Sequence, residues 1–278
     1  MVEASRDGIP DGATRLYVIV GDPIAQVKSP GGMTRGFAAR GHNAVLVPAH
    51  VTPQDLPGLL AGVSLARNLD GIIVTIPHKF ACAAHCTELS PRAQFLGAVN
   101  IIRRTASGGW YGDMLDGLGF VAAIRAKGPE PNGKTALLIG AGGAGSAIAL
   151  ALVDAGVAAL AIHDADHGRR DALIKRLQSR GKAPVSIGST DPTGFDLVAN
   201  ATPMGMNPGD PFPLDVANLS PQAFAACVIT QPVPAPWIVA ANVRGCASSH
   251  GVDMYHAEQA MMLEFLLGVE SGRGTHAC

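Results

Sequence analysis

Residues 135–164 read TALLIGAGGAGSAIALALVDAGVAALAIHD, and they decide the fold. The apolar run Thr135 to Ile139 predicts a buried parallel strand. Gly140, Ala141, Gly142, Gly143, Ala144 and Gly145 then satisfy G-x-G-x-x-G. Ser146 to Ala155 is almost wholly apolar or small, which predicts a helix packed on a sheet and stopped by Gly156. Val157 to Ile162 predicts a second strand, ending at His163 and Asp164. Strand, turn, helix, strand and acid occur in the order a dinucleotide site needs. Gly140 allows the tight turn, Gly142 admits a pyrophosphate close to the backbone, and Gly145 lets helix and strand approach.

Asp164 bears on the choice of cofactor. It lies 24 residues after Gly140, where an acid accepts the ribose hydroxyls. A carboxylate there repels a 2′-phosphate, and no arginine follows until Arg169. The sequence therefore favours NAD over NADP.

Composition narrows the class. A chain of 278 residues has room for two domains, and 47% hydrophobic content supplies an ample core. A net charge of −1 gives no reason to expect nucleic acid or an anionic membrane as partner. The N-terminus lacks the order of a signal peptide, and the apolar runs are broken before they could span a bilayer. Cys82, Cys86, Cys227, Cys246 and Cys278 are odd in number and scattered, as expected of reduced thiols in a cytoplasmic protein. Cys82, His85 and Cys86 fall short of the four ligands of a zinc site, so no metal is expected. A homodimer is allowed for.

Ahead of the glycine-rich turn, strands are predicted at Arg15 to Val20, Asn43 to Pro48 and Ile72 to Ile76. Helices are predicted from Gly32 to Arg40, from Thr52 to Ala66 and from Phe80 to Cys86. Pro77 stops the third strand and presents His78 and Lys79 at its carboxyl end, the edge where open parallel sheets bind ligands. Trp110 to Gly117 is read as a crossing into a helix at Leu118 to Lys127. The alternation implies a separate α/β domain, with the active site expected in the cleft between the two.

Several motifs occur together and in order. They are Gly21-Asp22-Pro23-Ile24 with Lys28-Ser29-Pro30, Val74-Thr75-Ile76-Pro77-His78-Lys79, and Gly97-Ala98-Val99-Asn100. Gly112-Asp113 with Asp116-Gly117 follows, then the glycine-rich turn, then Asn200-Ala201-Thr202-Pro203-Met204-Gly205-Met206. With these motifs the chain resembles the shikimate/quinate dehydrogenases over nearly its full length. The resemblance implies an α/β protein of two domains. A substrate-binding catalytic domain is expected over 1–117 and a Rossmann-type NAD(P)-binding domain over 118–247. A C-terminal helical segment, 248–278, is expected to return to the first domain.

The resemblance also implies the activity: reversible hydride transfer between nicotinamide and a ring hydroxyl of shikimate, quinate or a related cyclic hydroxy acid. The family's catalytic Lys and Asp map onto Lys79 and Asp116. Such an oxidation needs a group that removes the hydroxyl proton as hydride departs, and a partly buried lysine can serve. Alone, Lys79 reads as a surface amine and Asp116 as a helix N-cap. The surrounding motifs reverse that.

Ser29, Thr75 and Asn100 match residues that hold the substrate, and Thr202 and Met206 match neighbours of the nicotinamide half. In the last helix Glu258 and Gln259 compete for the place of a substrate-binding Gln, and Gln259 is chosen on chemistry. Val27, Ile73, Met114-Leu115 and Thr230 replace polar residues of the family. A site that loses hydrogen-bond partners loses discrimination for polar groups. The alternatives are accordingly a dehydrogenase for a less polar ring alcohol and a non-catalytic NAD(P)-binding sensor.

Overall fold

The computed structural model describes residues 9–268. The first eight residues of the lead-in, and Cys278, lie outside the described residues. The chain forms two compact units, one of residues 9–115 with 259–268 and the other of residues 116–258.

The first unit runs β1 (Arg15–Gly21), α1 (Ser29–Ala38), β2 (Ala44–His50), α2 (Leu56–Ser64), β3 (Leu69–Val74) and α3 (Lys79–Ala83). It continues through β4 (Glu88–Leu89), α4 (Pro91–Leu96), β5 (Ile101–Arg104) and β6 (Trp110–Asp113). Its sheet has the order β2-β1-β3-β5-β6-β4. β1 is parallel to both neighbours, whereas β5 is antiparallel to β3 and to β6. Trp110–Asp113, expected to lead straight into a helix, is a strand of this sheet. Its carboxylate explains the difference. Asp113 is buried and accepts hydrogen bonds from Ser90 Oγ, from Arg92 Nε at 2.8 Å and from the Met114 amide at 2.7 Å. Those bonds tie β6 to the start of α4. Ser90 also caps α4 by accepting from the Ala93 amide, Pro91 opens the helix, and Gly97 closes it at φ 68°.

The core of this unit gathers Tyr17, Ile19, Met33, Phe37, Leu46 and Ile101. Tyr17 and Phe37 stack with ring centroids 4.5 Å apart. Leu263 and Leu266 complete the cluster, entering where glycine removes the obstacle. A Cβ at Gly36 would lie 2.5 Å from Leu263 Cδ1, and one at Gly71 2.6 Å from Leu266 Cδ2. Each buried leucine contributes roughly 1.5–3 kcal/mol of hydrophobic stabilisation.

The second unit runs α5 (Asp116–Lys127), β7 (Thr135–Ile139), α6 (Gly143–Asp154), β8 (Ala159–His163), α7 (His167–Gln178) and β9 (Val185–Ile187). Next come β10 (Leu197–Asn200), β11 (Phe224–Cys227), α8 (Pro236–Val243), β12 (Ala247–Ser249) and α9 (Gly251–Leu267). All its strands are parallel, in the order β12-β11-β10-β7-β8-β9. The order reverses beside β7, so the carboxyl end of β7 is a topological switch point, where nucleotides bind in such sheets. The boundary between the units divides α9 after Glu258, so the helix belongs to the second unit up to that residue and to the first from Gln259 onward.

Among the described residues no helix is long and apolar enough to cross a membrane. Nor is any group of three or more His, Cys, Asp or Glu side chains among them arranged to hold a metal. The thiols of Cys82, Cys86, Cys227 and Cys246 are free. Burial pushes Cys82 and Cys86 up to about 12, which keeps both thiols neutral.

Candidate active site

In the first unit the predicted residues collect at one edge of the sheet, where β1 and β3 end. The two strand exits are joined by the Thr75 amide donating to Val20 O at 3.0 Å and the Asp22 amide to Ile76 O at 2.9 Å. A Cβ at Gly21 would lie 2.4 Å from Thr75 Cγ2, so glycine is required beside Thr75. Lys79 opens α3 with only 8% of its surface exposed, and its carbonyl accepts the Val99 amide at 2.9 Å. That bond sets Asn100 next to the lysine's backbone. Ser29 opens α1 and is buried.

Asn100 does work that its sequence position did not reveal. It is fully buried, and its Oδ1 accepts the Leu115 amide at 2.8 Å. It thereby fixes the Met114–Leu115 peptide, one residue ahead of Asp116, which is itself buried as the first residue of α5. His78, although adjacent to Lys79, has a structural bond: its Nε2 lies 2.8 Å from Val51 O in a buried ring. The replacements seen in the sequence also meet. Ile73 and Leu115 belong to one buried apolar cluster, and Val27 packs against it.

In the second unit the glycine-rich turn has the geometry its motif predicts. Gly140 adopts φ 107°, a conformation that strains any residue with a Cβ. A Cβ at Gly145 would lie 2.1 Å from the carbonyl oxygen of Gly140, so helix and strand meet backbone to backbone. A Cβ at Gly142, by contrast, would meet nothing within 4 Å. The protein's own packing makes no demand for glycine there. The open space in front of the α6 N-terminus is what a bound diphosphate requires, so the residues fit a dinucleotide. Gly143 and Ala144 form the first turn of that helix.

Asp164 stands beside this turn at the end of β8. It is buried and accepts from the Ala141 amide at 2.6 Å, the Asp166 amide at 2.8 Å and Arg169 Nη2 at 2.8 Å. Burial alone pushes its carboxyl up, but the bonds from Arg169, Ala141 and Asp166 outweigh it and hold it below the ordinary carboxylate range. The acid is thus ionised and shared with an arginine that the sequence spacing had placed out of play.

The loop after β10 lies against the turn, since a Cβ at Gly140 would come within 2.9 Å of Thr202 Cγ2. Asn200, fully buried, shapes this loop. Its Oδ1 accepts from the Thr202 amide at 3.0 Å and from Thr202 Oγ1 at 2.6 Å. Asp210 Oδ2 holds the Gly205 and Asn207 amides at 3.0 and 2.9 Å, on either side of Met206. Met206 is partly buried against the second unit's core. In α9 Glu258 is buried together with Met254 and Met262, while the neighbouring Gln259 is half-buried. Glu258 Cβ would sit 2.7 Å from a Cβ on Gly119, one turn beyond Asp116 on α5.

A parallel sheet of Rossmann order with a dinucleotide turn, joined to a mixed α/β unit carrying a buried lysine, defines a two-domain nicotinamide-dependent oxidoreductase. Residues 19–102 match the shikimate dehydrogenase substrate binding domain. A shikimate dehydrogenase (NADP(+)) of Rubrobacter xylanophilus is 37% identical over 246 residues, 87% of this chain and 86% of that protein. The chain belongs to the shikimate dehydrogenase family, whose members act on CH–OH groups.

Solved structures agree. Quinate dehydrogenase of Corynebacterium glutamicum in complex with NAD is similar at a TM-score of 0.82 and 28% identity, covering 92% of this chain and 95% of that one. The 5-ketofructose reductase of Gluconobacter sp. strain CHM43 is similar at 0.81 and 26% identity, covering 92% and 93%. NADP(+) and NAD thus both appear among similar proteins, and the cofactor class is the nicotinamide dinucleotides.

Proposed function

We propose that the protein catalyses reversible oxidation of a ring hydroxyl of shikimate, quinate or a related cyclic hydroxy acid, with Lys79 and Asp116 as the acid–base pair. The observation that carries this reading is the burial of Lys79 at a sheet edge that also holds Thr75 and Asn100. A nicotinamide held beside Thr202 and Met206 would supply the hydride acceptor for oxidation and the hydride donor for the reverse. In the oxidative direction the Lys79 amine takes the hydroxyl proton, so the C–H electron pair can leave and the C=O bond can form. In reverse the ammonium returns that proton. Asp116 orients Nζ and the substrate hydroxyl.

Ser29, Thr75 and Gln259 hold the ring acid's polar groups. Asn100, which holds the Leu115 amide through Oδ1, is assigned to the ring acid as well. The turn from Gly140 to Ala144 cradles the diphosphate, and Thr202 and Met206 flank the nicotinamide half. Reduced thiols support a cytoplasmic setting.

The test is initial rates of reduced-nicotinamide formation, with NAD⁺ and NADP⁺ each offered shikimate and quinate. Saturable turnover of either acid is expected. Cofactor binding without turnover of any ring alcohol would overturn the reading and leave a sensor.

NAD is the preferred cofactor in this proposal. Asp164 is held ionised, and a 2′-phosphate would place its charge against that carboxylate and compete for Arg169. Asp164→Asn is expected to shift the ratio of kcat/KM for NAD⁺ over NADP⁺ toward NADP⁺ by about tenfold or more, roughly 1.4 kcal/mol. An unchanged ratio would remove Asp164 from cofactor selection.

One observation favours a second reading, a less polar substrate. Val27, Ile73 and Leu115 share one apolar cluster, so hydrogen-bonding partners are lacking together and not singly. Under this reading Val27→Ser raises kcat/KM for shikimate relative to a neutral ring polyol by at least about tenfold, since a restored hydroxyl restores discrimination. Equal changes for both substrates would sink it.

A further inference from the structure

We propose that the first unit carries a second ligand site, for a small free oxyanion, built on Arg103 at the amino-terminal ends of β1 and β3. It lies at the opposite end of those strands from Thr75 and Lys79, and it does not depend on the function proposed above.

Strand register creates it. Tyr17, Gly71, Arg103 and Tyr111 are successive Cα partners across β1, β3, β5 and β6, so their side-chain directions share one face. The register slips between Leu16 and Tyr17, which leaves Asp70 as an extra residue at the start of β3. Gly71 supplies no side chain to the row, and Leu266 occupies its place. Beside it is a cavity of about 220 Å³, whose walls include Tyr17, His42, Asp70, Arg103, Arg104 and Gly268. That is the room of roughly seven water molecules, enough for phosphate or a short dicarboxylate.

The charges around it do not cancel. Asp70 is committed to Arg15, which holds its Oδ2 through Nε at 2.7 Å and its Oδ1 through Nη2. Arg104 donates to the carbonyls of Leu69, Ser64 and Ala66 at 2.9, 3.1 and 3.1 Å, so its positive charge meets no carboxylate in those bonds. Arg103 lies against two aromatic rings, its guanidinium carbon 5.4 Å from the centroids of both Tyr111 and Phe265. Its Nε is buried without a hydrogen-bond partner, an exception to the rule that buried polar atoms are bonded.

Two aromatic contacts hold the guanidinium in place, and a forked donor so held is suited to a carboxylate or phosphate. Gly268 keeps the approach open: it adopts φ 68°, and a Cβ there would lie 2.8 Å from Arg103 Nη1.

The experiment titrates the full chain with inorganic phosphate and with malonate at constant ionic strength, by calorimetry and by thermal melts. A saturable site that depends on Arg103 and a melting temperature that climbs with ligand concentration are expected. Arg103→Gln should weaken binding at least tenfold and Arg103→Lys less. Gly268→Ala should also weaken it, which keeps the test open should Arg103→Gln fail to fold. Arg169→Gln should leave it intact. Loss of binding in Arg169→Gln but not in Arg103→Gln would put the anion on the glycine-rich turn and overturn the proposal. No saturable binding by the natural chain would also overturn it.

Discussion

Lys79→Ala is expected to lower kcat/KM for the ring alcohol by about 10²–10⁴-fold, the range for loss of a positioned general acid–base group. That corresponds to roughly 2.7–5.5 kcal/mol of transition-state stabilisation. Lys79→Arg should fail nearly as badly, because a guanidinium keeps the charge but cannot take the proton. The comparison separates proton transfer from electrostatics. Equilibrium binding of the cofactor should stay within about twofold in both variants, because the residues assigned to it sit in the other unit. Melting curves check that the loss is chemical, since Lys79 is buried and its removal also touches packing. Rates within threefold of the natural chain, with the true substrate, would take Lys79 out of the chemistry.

The neighbouring histidine shows why sequence position alone is a poor guide to the base. Imidazole has the better intrinsic pKa for the task at neutral pH, and His78 sits one residue away. Its ring is buried and bonded to the carbonyl of Val51, a residue 27 positions earlier. No pattern within the strand foretells that bond. The same limit hid the role of Asn100, which holds the Leu115 amide 15 positions later. Such roles depend on where the chain returns, not on the residue type.

The glycine-rich unit was legible because its signals are local. The predicted β7 coincides with Thr135–Ile139, and the helix predicted from Ser146 begins three residues earlier, at Gly143. α4 carries local signals of the same kind. Ser90-Pro91 with Gly97 is a cap, a first turn and a stop, and α4 lies between them. Residues of α9 were ambiguous for a geometric reason, since adjacent helix positions differ by about 100°. Glu258 falls on the buried side with Met254 and Met262, and chemistry alone had pointed to Gln259. Arg169 was underestimated because Asp166 caps α7 by accepting its amide, and that turn brings the guanidinium back onto Asp164.

The glycines of the turn make the sharpest prediction, because two of them should fail in opposite ways. Gly145→Ala would force a Cβ to 2.1 Å from the Gly140 carbonyl oxygen and 2.7 Å from its carbon. Neither atom is the end of a flexible side chain, so β7 and α6 must separate. Overpacking of this kind costs about 1–3 kcal/mol or more, and it distorts the turn that cradles the diphosphate. Gly145→Ala should therefore melt lower and bind cofactor at least about tenfold more weakly.

Gly142→Ala meets no such obstacle. Its φ is −69° with extended ψ, a conformation alanine adopts freely, and its Cβ would enter open space. Stability should hold or rise by about 0.4–1 kcal/mol, because the unfolded chain loses freedom. Cofactor affinity should nevertheless fall about tenfold, since the added methyl occupies the space a diphosphate needs above the α6 N-terminus. Melting temperature and cofactor titration, taken on both variants, read the two effects separately. Undiminished cofactor affinity in a stable Gly142→Ala protein would mean that the phosphates do not approach the backbone at this turn.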